Sequence, residues 1–267
     1  MEIKTKNERF KDYMEKIKDF TIMDDTFMVA CFRNQPKLIE YVLQIIMDKP
    51  AIEVKEVTVQ SPLKHIQGRS LTLDIEAIDA AKKRYDSEFQ QASSGAKPKR
   101  ARYHSSMMDA DILEVGEDFE KLPETYVIFI TKYDVLGMNL PLYNIGRVII
   151  NSDKHDIFDD KSHILYVNAS IQNNTELGKL MYDFQCANPQ MMFNQELADR
   201  VQYLKETKEG RNDMCEIMDK FVQDEKTKIA LNLLAMTRLS IDEISKVTEL
   251  SVEKVKELCE QNQLVTV

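Results

Sequence analysis

The spacing of apolar residues near the start of the chain is helical. Apolar positions recur every three or four residues in the segments 9–17, 21–33 and 36–47, which places them on one face of a helix. Pro36 opens the third segment, and proline is favoured in the first turn of a helix because its missing N–H would be unpaired there. The pattern therefore predicts three helices before residue 50.

The spacing then changes to the alternation typical of β-strands. Residues 51–60, 69–78 and 84–91 alternate apolar with polar side chains, the first segment imperfectly, so each is predicted to be a strand. The connection between the second and third segments is short, which favours an antiparallel hairpin. It lacks the glycine that is common in such turns.

Helical and strand patterns alternate further along, before the chain becomes wholly helical. A helix is predicted over 99–116, an apolar interior strand over 126–131 and a short strand over 163–167. From about residue 175 onward only helical spacing is evident. Within that region Ser240-Ile-Asp-Glu243 matches a capping box, which predicts the start of a helix.

Length and composition allow one large domain, or an ordinary domain with a smaller one, since the chain has 267 residues of which 43% are hydrophobic. The expected fold class is α/β, with a mixed sheet flanked by helices in residues 1–185 and a helical C-terminal region in residues 186–267. No apolar run approaches the roughly 20 residues of a membrane helix, so no membrane partner is expected. Four dispersed cysteines favour reduced thiols in a cytoplasmic protein.

Polar side chains of the predicted hairpin converge if Ile75 lies opposite Ser87. That register puts Asp74 beside Glu88, with Gln90 diagonal to it, and facing Cβ atoms in such pairs are about 5 Å apart. Carboxylate and amide oxygens at this spacing suit Mg²⁺ or Mn²⁺. Alternation by itself, however, more often marks the solvated face of a hairpin.

An ordered series of residues surrounds this hairpin. It consists of Leu73-Asp74-Ile75, Tyr85-Asp86-Ser87-Glu88-Phe89-Gln90, Lys99-Arg100-Ala101-Arg102-Tyr103-His104-Ser105-Ser106, Leu122, Tyr126-Val127-Ile128-Phe129-Ile130 and Tyr133-Asp134. The series resembles the PD-(D/E)XK nuclease superfamily, which has a restriction-endonuclease-like fold. Within it, the sequence is similar to the Rpn family of recombination-promoting nucleases and putative transposases. The similarity covers roughly residues 20–185 and is most specific over 69–135.

The resemblance implies a metal-dependent DNA endonuclease that hydrolyses phosphodiester bonds in recombination or in mobile elements. It implies that Asp74 and Glu88 hold Mg²⁺ or Mn²⁺ and act in catalysis together with Gln90. Gln90 stands where the wider superfamily has lysine, and glutamine is common there in this branch. His104 stands where a second tyrosine is usual. Related nucleases sometimes use a further acid from the N-terminal helix, for which Glu40 is the candidate, although most surface glutamates are merely solvated.

A basic stretch follows the third strand. Lys99, Arg100 and Arg102 are the candidate DNA contacts, since cations near a helix N-terminus attract phosphate. An ordinary charged helix face is the other interpretation. The net charge of −9 argues against a protein that coats nucleic acid broadly, but it allows a local basic track beside a metal site. The four histidines show no spacing typical of a metal site and receive no role.

The short helices predicted near the C-terminus are spaced like a helix-turn-helix unit. The last of them, 251–260, carries Glu253, Glu257 and Glu260, which would repel phosphate. Packing, or self-association into a homo-oligomer, is therefore favoured over DNA binding. Two rival functions remain open: a catalytically inactive nuclease-fold protein that interacts or regulates through its helical C-terminus, and, less favoured, a transcription regulator.

Overall fold

The computed structural model describes residues 6–63, 70–152, 154–236 and 239–265, so His65 lies outside the described residues. The α-helices in this part of the chain are α1 (Lys6–Ile17), α2 (Asp25–Phe32), α3 (Pro36–Met47), α4 (Pro98–Ile112), α5 (Glu176–Gln185), α6 (Gln195–Glu206), α7 (Lys208–Met236), α8 (Ile241–Thr248) and α9 (Val252–Val265). The three N-terminal helices predicted from apolar spacing are confirmed, and α3 begins at Pro36 as expected. None of these helices is long and apolar enough to cross a membrane.

The strands form one mixed sheet. They are β1 (Val54–Leu63), β2 (Leu71–Asp79), β3 (Arg84–Gln90), β4 (Thr125–Thr131), β5 (Leu142–Ile145) and β6 (Ser162–Asn168). Their order across the sheet is β1-β2-β3-β4-β6-β5. β1, β2 and β3 are antiparallel neighbours, β3, β4 and β6 run parallel, and β5 pairs antiparallel with β6. The predicted mixed sheet flanked by helices is confirmed, whereas β5 was not predicted.

The β2–β3 hairpin closes without glycine because Asp79 organises its turn. The Asp79 carboxylate accepts hydrogen bonds from the N–H groups of Ala81 and Lys83, both at 2.9 Å, and from the hydroxyl of Tyr85. Lys82 adopts the left-handed conformation, with a φ of 66°, that glycine adopts most readily. The side-chain hydrogen bonds offset the cost of this conformation, so the short antiparallel connection forms.

Helices cover both faces of the central strands, and β4 is buried along its whole length. On one face Phe89 packs against Phe32 of α2 and Phe184 of α5, with ring centroids 5.8 and 5.4 Å away. On the other face Val127 and Phe129 belong to a core cluster that includes apolar residues of α4. Because Phe129 lies beside Glu88 in the parallel β3–β4 register, α4 covers the face that carries the polar residues of β3.

The chain forms two compact units, Met1–Arg211 and Asn212–Val267. In the first unit, Arg200 of α6 donates to two carbonyl oxygens near the end of α2. Lys205 donates to three further carbonyl oxygens, all within the same unit. The domain boundary expected after residue 185 stays a prediction, and these contacts place α6 with the α/β unit.

The second unit contains most of α7 together with α8 and α9. Its small core consists of Ala230, Ile244, Leu250, Val255 and Leu258. Ser240 and Glu243 make both hydrogen bonds of the predicted capping box at the start of α8. The sequence signal for this helix start is therefore confirmed.

Candidate active site

β2 and β3 pair in the register on which the sequence argument depended, with Ile75 opposite Ser87. Beyond that pair, two side chains connect the strands. The N–H of Asp74 donates to Oε1 of Glu88, and the N–H of Phe89 donates to Oδ2 of Asp74, both at 2.9 Å. This reciprocal pair of hydrogen bonds holds the two carboxylates close together at one end of the hairpin.

The alternation of β2 breaks at Asp74. Leu73 was expected to share a face with Ile75, but it belongs to the core cluster on the α4 side of the sheet. On the neighbouring strand, Ile75 lies opposite Val59 and Leu73 opposite Ser61, and the intervening Gln60 has a φ of 54°. The break in alternation therefore lies beside an irregular residue of β1, and the Asp74 carboxylate reaches the main chain of β3.

The first turn of α4 brings Arg100 to the carboxylates. Its guanidinium donates to Oε2 of Glu88 at 2.9 Å and to Oε1 of Gln90 at 3.1 Å. It also donates to the carbonyl of Gly95 and to the ring of His104. The Glu88 side chain is fully buried, whereas that of Arg100 is 38% exposed. The guanidinium therefore extends from the buried carboxylate toward solvent.

Asp86 and His104 extend this cluster into the interior, and both side chains are fully buried. Nδ1 of His104 lies 2.8 Å from Oδ2 of Asp86 and 3.8 Å from Oε1 of Glu88. Since Nε of Arg100 donates to Nε2 of His104 at 3.2 Å, the ring proton is on Nδ1 and is donated to Asp86. The other oxygen of Asp86, Oδ1, is buried and has no hydrogen-bond partner among the described residues, which is uncommon for a buried carboxylate.

Burial raises the pKa of each carboxyl group in the cluster. It raises the pKa of Asp74 to about 8, with the charge of Glu88 as the second cause. It raises the pKa of Glu88 to about 8, with the charge of Asp86 as the second cause. The pKa of Asp86 lies well above its ordinary value for the same reasons, burial and the charge of Asp74. Buried carboxylates that repel one another in this way are typical of functional sites.

Gly95 leaves the space that the Gln90 side chain occupies. A Cβ atom at residue 95 would lie 2.0 Å from Oε1 of Gln90 and 3.5 Å from Nη1 of Arg100. Gly95 is not among the residues with positive φ, so close approach rather than backbone conformation requires glycine at this position. The loop before α4 thereby fixes the position of the amide.

The cluster has a donor set that fits a divalent cation. The carboxylates of Asp74, Glu88 and Asp86 and the amide of Gln90 provide hard oxygen donors. One donor atom from each of Asp86, Glu88 and His104 lies within 4.8 Å of the others. The unpartnered Oδ1 of Asp86 offers a further free acceptor. Hence the residues present could hold Mg²⁺ or Mn²⁺.

The remaining predicted residues divide into two groups. Lys99 and Arg102 are exposed on α4, where they can meet solvent or a ligand, whereas Arg100 contacts the cluster. Glu40 lies elsewhere, because its carboxylate accepts a hydrogen bond from the N–H of Val54 at 2.9 Å and so ties α3 to β1. The further acid suggested by the resemblance is therefore not part of this cluster.

Sequence reasoning missed Asp86, His104 and Gly95. Asp86 was on the polar face of β3, two residues before Glu88, and that alternation could have included it. His104 was assigned no role because histidine spacing along the chain was uninformative. It follows Arg100 by four residues on the same helix face, which is the signal that could have placed it near the site.

Comparison with known families agrees with this geometry. Residues 30–256 match the family described as PD-(D/E)XK nuclease family transposase. The chain has no significant match among curated proteins or solved structures. The family match confirms the resemblance to Rpn nucleases and putative transposases, and the six-stranded mixed sheet with flanking helices is consistent with the PD-(D/E)XK fold. Since the match spans most of its length, this chain belongs to the PD-(D/E)XK nuclease family of transposases.

Proposed function

We propose that this chain is a metal-dependent DNA endonuclease that hydrolyses phosphodiester bonds. The observation that carries the proposal is the reciprocal pair of hydrogen bonds that holds Asp74 against Glu88. Two buried carboxylates repel each other when both are ionised, which is why their pKa values are raised, and a bound cation would stabilise the ionised pair. Family membership supports the class of reaction.

Asp74 and Glu88 would hold the metal, Mg²⁺ or Mn²⁺. When bound, the metal polarises the scissile phosphate and lowers the pKa of the attacking water. Gln90 stands two residues after Glu88, and its amide, which lies against Gly95, would position that water through a hydrogen bond. These three residues keep the catalytic roles that the resemblance implies.

Arg100 would provide the positive charge that Gln90 lacks. An amide cannot offset negative charge on a phosphate, but a guanidinium stays protonated and its planar fork fits phosphate oxygens. The guanidinium of Arg100 is 3.1 Å from Oε1 of Gln90 and is partly exposed. It is therefore close to the catalytic amide and accessible to a substrate.

Lys99 and Arg102 would bind the DNA backbone. Both are exposed and flank Arg100 along the first turns of α4, where the helix dipole also favours phosphate. DNA is accordingly the proposed substrate, in the recombination or mobile-element setting that the family indicates. Self-association through the C-terminal helices and a cytoplasmic location are further parts of the proposal.

Cleavage of supercoiled plasmid by the full-length protein, with Mg²⁺ or Mn²⁺, tests the proposal. We expect nicked and linear products from the wild type, and a loss of at least about 100-fold in rate for Asp74→Asn and Glu88→Gln. Asp111→Asn is the control, because it changes an exposed carboxylate near the other end of α4. If the folded wild type cleaves no DNA, or if the site variants match the control, the nuclease function is rejected in favour of an inactive regulator.

A further inference from the structure

Buried groups of β3 and α4 face one another beside the Asp74–Glu88 pair. We propose that Asp86, Glu88 and His104 form a cation site that selects a first-row transition metal, probed here with Mn²⁺, over Mg²⁺. This inference deepens the proposed function and rests on it, because Glu88 belongs to both sets of ligands. It assigns roles to the two buried residues that the sequence pattern left unexplained.

The donor atoms have the spacing of ligands around one ion. Two ligands about 2.1 Å from a metal and at right angles lie about 3 Å from each other. Nδ1 of His104 is 2.8 Å from Oδ2 of Asp86 and 3.8 Å from Oε1 of Glu88, which brackets that separation. Loss of the Nδ1 proton, which is now donated to Asp86, small shifts of these three side chains and movement of Arg100 would complete the geometry.

The unpartnered oxygen of Asp86 is an independent indication of a ligand. His104 satisfies Oδ2, but Oδ1 is buried and has no hydrogen-bond partner among the described residues. Buried carboxylate oxygens normally accept hydrogen bonds or bind a metal. A cation between Asp86 and Glu88 would satisfy this oxygen and reduce the repulsion between the two carboxylates.

The imidazole determines which cations the site prefers. Mg²⁺ takes oxygen ligands and gives up its water reluctantly, whereas imidazole nitrogen suits transition metals. Mn²⁺ accepts both oxygen and nitrogen ligands, and the set of Asp86, Glu88 and His104 supplies both. Complete burial of the three side chains further favours an ion that exchanges water for protein ligands.

Binding of a cation by His104 requires Arg100 to move away from the imidazole ring. Nε2 of the ring now accepts a hydrogen bond from Nε of Arg100, so the single ring proton is on Nδ1. With a cation bound to Nδ1, the ring proton would be on Nε2. Nε2 could then no longer accept a hydrogen bond from Arg100. The guanidinium must turn away, and the partly exposed side chain of Arg100 can do so toward solvent.

Binding of Mn²⁺ to the full-length protein, followed by calorimetry and pulsed electron paramagnetic resonance, tests the site. We expect Mn²⁺ to bind at least about tenfold more tightly than Mg²⁺, with nitrogen coupling from a directly bound imidazole. His104→Gln should abolish the coupling, and both it and Asp86→Asn should weaken Mn²⁺ binding by about tenfold or more. His155→Asn is the matched control, because His155 is exposed and its φ of 50° suits asparagine.

Mn²⁺ bound without nitrogen coupling, or with equal affinity in the wild type and His104→Gln, would overturn this proposal. That result would leave the proposed metal-dependent cleavage through Asp74 and Glu88 unaffected. A folded wild type that binds neither Mg²⁺ nor Mn²⁺ would overturn both proposals. If His104→Gln fails to fold, the wild-type spectrum decides alone, with His155→Asn showing whether an exposed histidine is the source of the coupling.

Discussion

Replacement of Gly95 by alanine is expected to disable the site while leaving the protein folded. The added Cβ would lie 2.0 Å from Oε1 of Gln90 and 3.2 Å from its Cδ. Non-bonded carbon atoms in contact are about 3.5 Å or more apart. The Gln90 amide must therefore move by about 1 Å or more, away from its present position beside Arg100.

The effect of Gly95→Ala on stability should be small. Gly95 is not among the residues with positive φ, so alanine can adopt its conformation. Reduced freedom of the unfolded chain stabilises such a variant by about 0.4–1 kcal/mol. Loss of the 3.1 Å hydrogen bond between Arg100 and Gln90 costs about 1 kcal/mol. The two effects nearly cancel, and the free energy of unfolding should change by no more than about 1 kcal/mol.

The effect on catalysis should be large. Gln90 is proposed to position the attacking water, and a displacement of about 1 Å in such a group can lower a rate about 100-fold. The affinity for DNA should change little, because the exposed cations Lys99 and Arg102 are untouched. We therefore expect kcat to fall about 100-fold for Gly95→Ala, with a nearly unchanged KM.

Plasmid cleavage and thermal unfolding, measured on the same preparations, check this prediction. Gly146→Ala is the matched control, because a Cβ at residue 146 would meet no atom within 4 Å. Undiminished cleavage by Gly95→Ala would refute the positioning role of Gln90. A loss of activity that simply followed a loss of folded protein would refute the reasoning about stability.

Lys99→Gln and Arg102→Gln should each weaken DNA binding and lower the slope of log affinity against log salt by about 0.9, measured by fluorescence anisotropy; an unchanged slope would contradict phosphate contacts. At the other end of the sheet, burial opposes ionisation of Glu124, but hydrogen bonds, first from Lys83, lower its pKa from 4.5 to about 2. Ionised Glu124 therefore contributes to stability above pH 4.5, and this contribution is lost as the pH falls through 2. In urea unfolding, the difference of about 1 kcal/mol in the free energy of unfolding between the wild type and Glu124→Gln should shrink over that interval. A difference that stays constant with pH would contradict this prediction. Ser240→Ala should destabilise the second unit by about 1 kcal/mol in the same assay, and no change would show that the capping box contributes nothing.

The strands could be predicted from the sequence wherever burial of one face makes apolar and polar residues alternate. Alternation restricted the β2–β3 register, because a shift by one residue would expose the apolar face, and the pairing of Ile75 with Ser87 assumed from it is the one observed. β5 could not be predicted in the same way. It has four residues, two of which, Asn144 and Ile145, are exposed. Apolar and polar residues therefore show no clear alternation along it.

The candidate site could be predicted only in part, because tertiary contacts decide the rest. Adjacency of Asp74 and Glu88 followed from the hairpin register. The break in alternation at Asp74 coincides with the unusual conformation of Gln60 on another strand, which no local pattern in β2 reveals. The contact between Asp86 and His104 joins a strand to a helix 18 residues later, and a search for spacing along one element cannot detect it.

The position of Arg100 connects these contacts to function. A cation stabilises an ionised carboxylate that is buried, and the guanidinium of Arg100 lies 2.9 Å from Glu88. The two partners differ in mobility, because Glu88 is fully buried while the Arg100 side chain is 38% exposed and can turn toward solvent. A metal that neutralises Glu88 would therefore release Arg100 toward a phosphate. The same side chain would then stabilise the site before metal binding and contact the substrate after it.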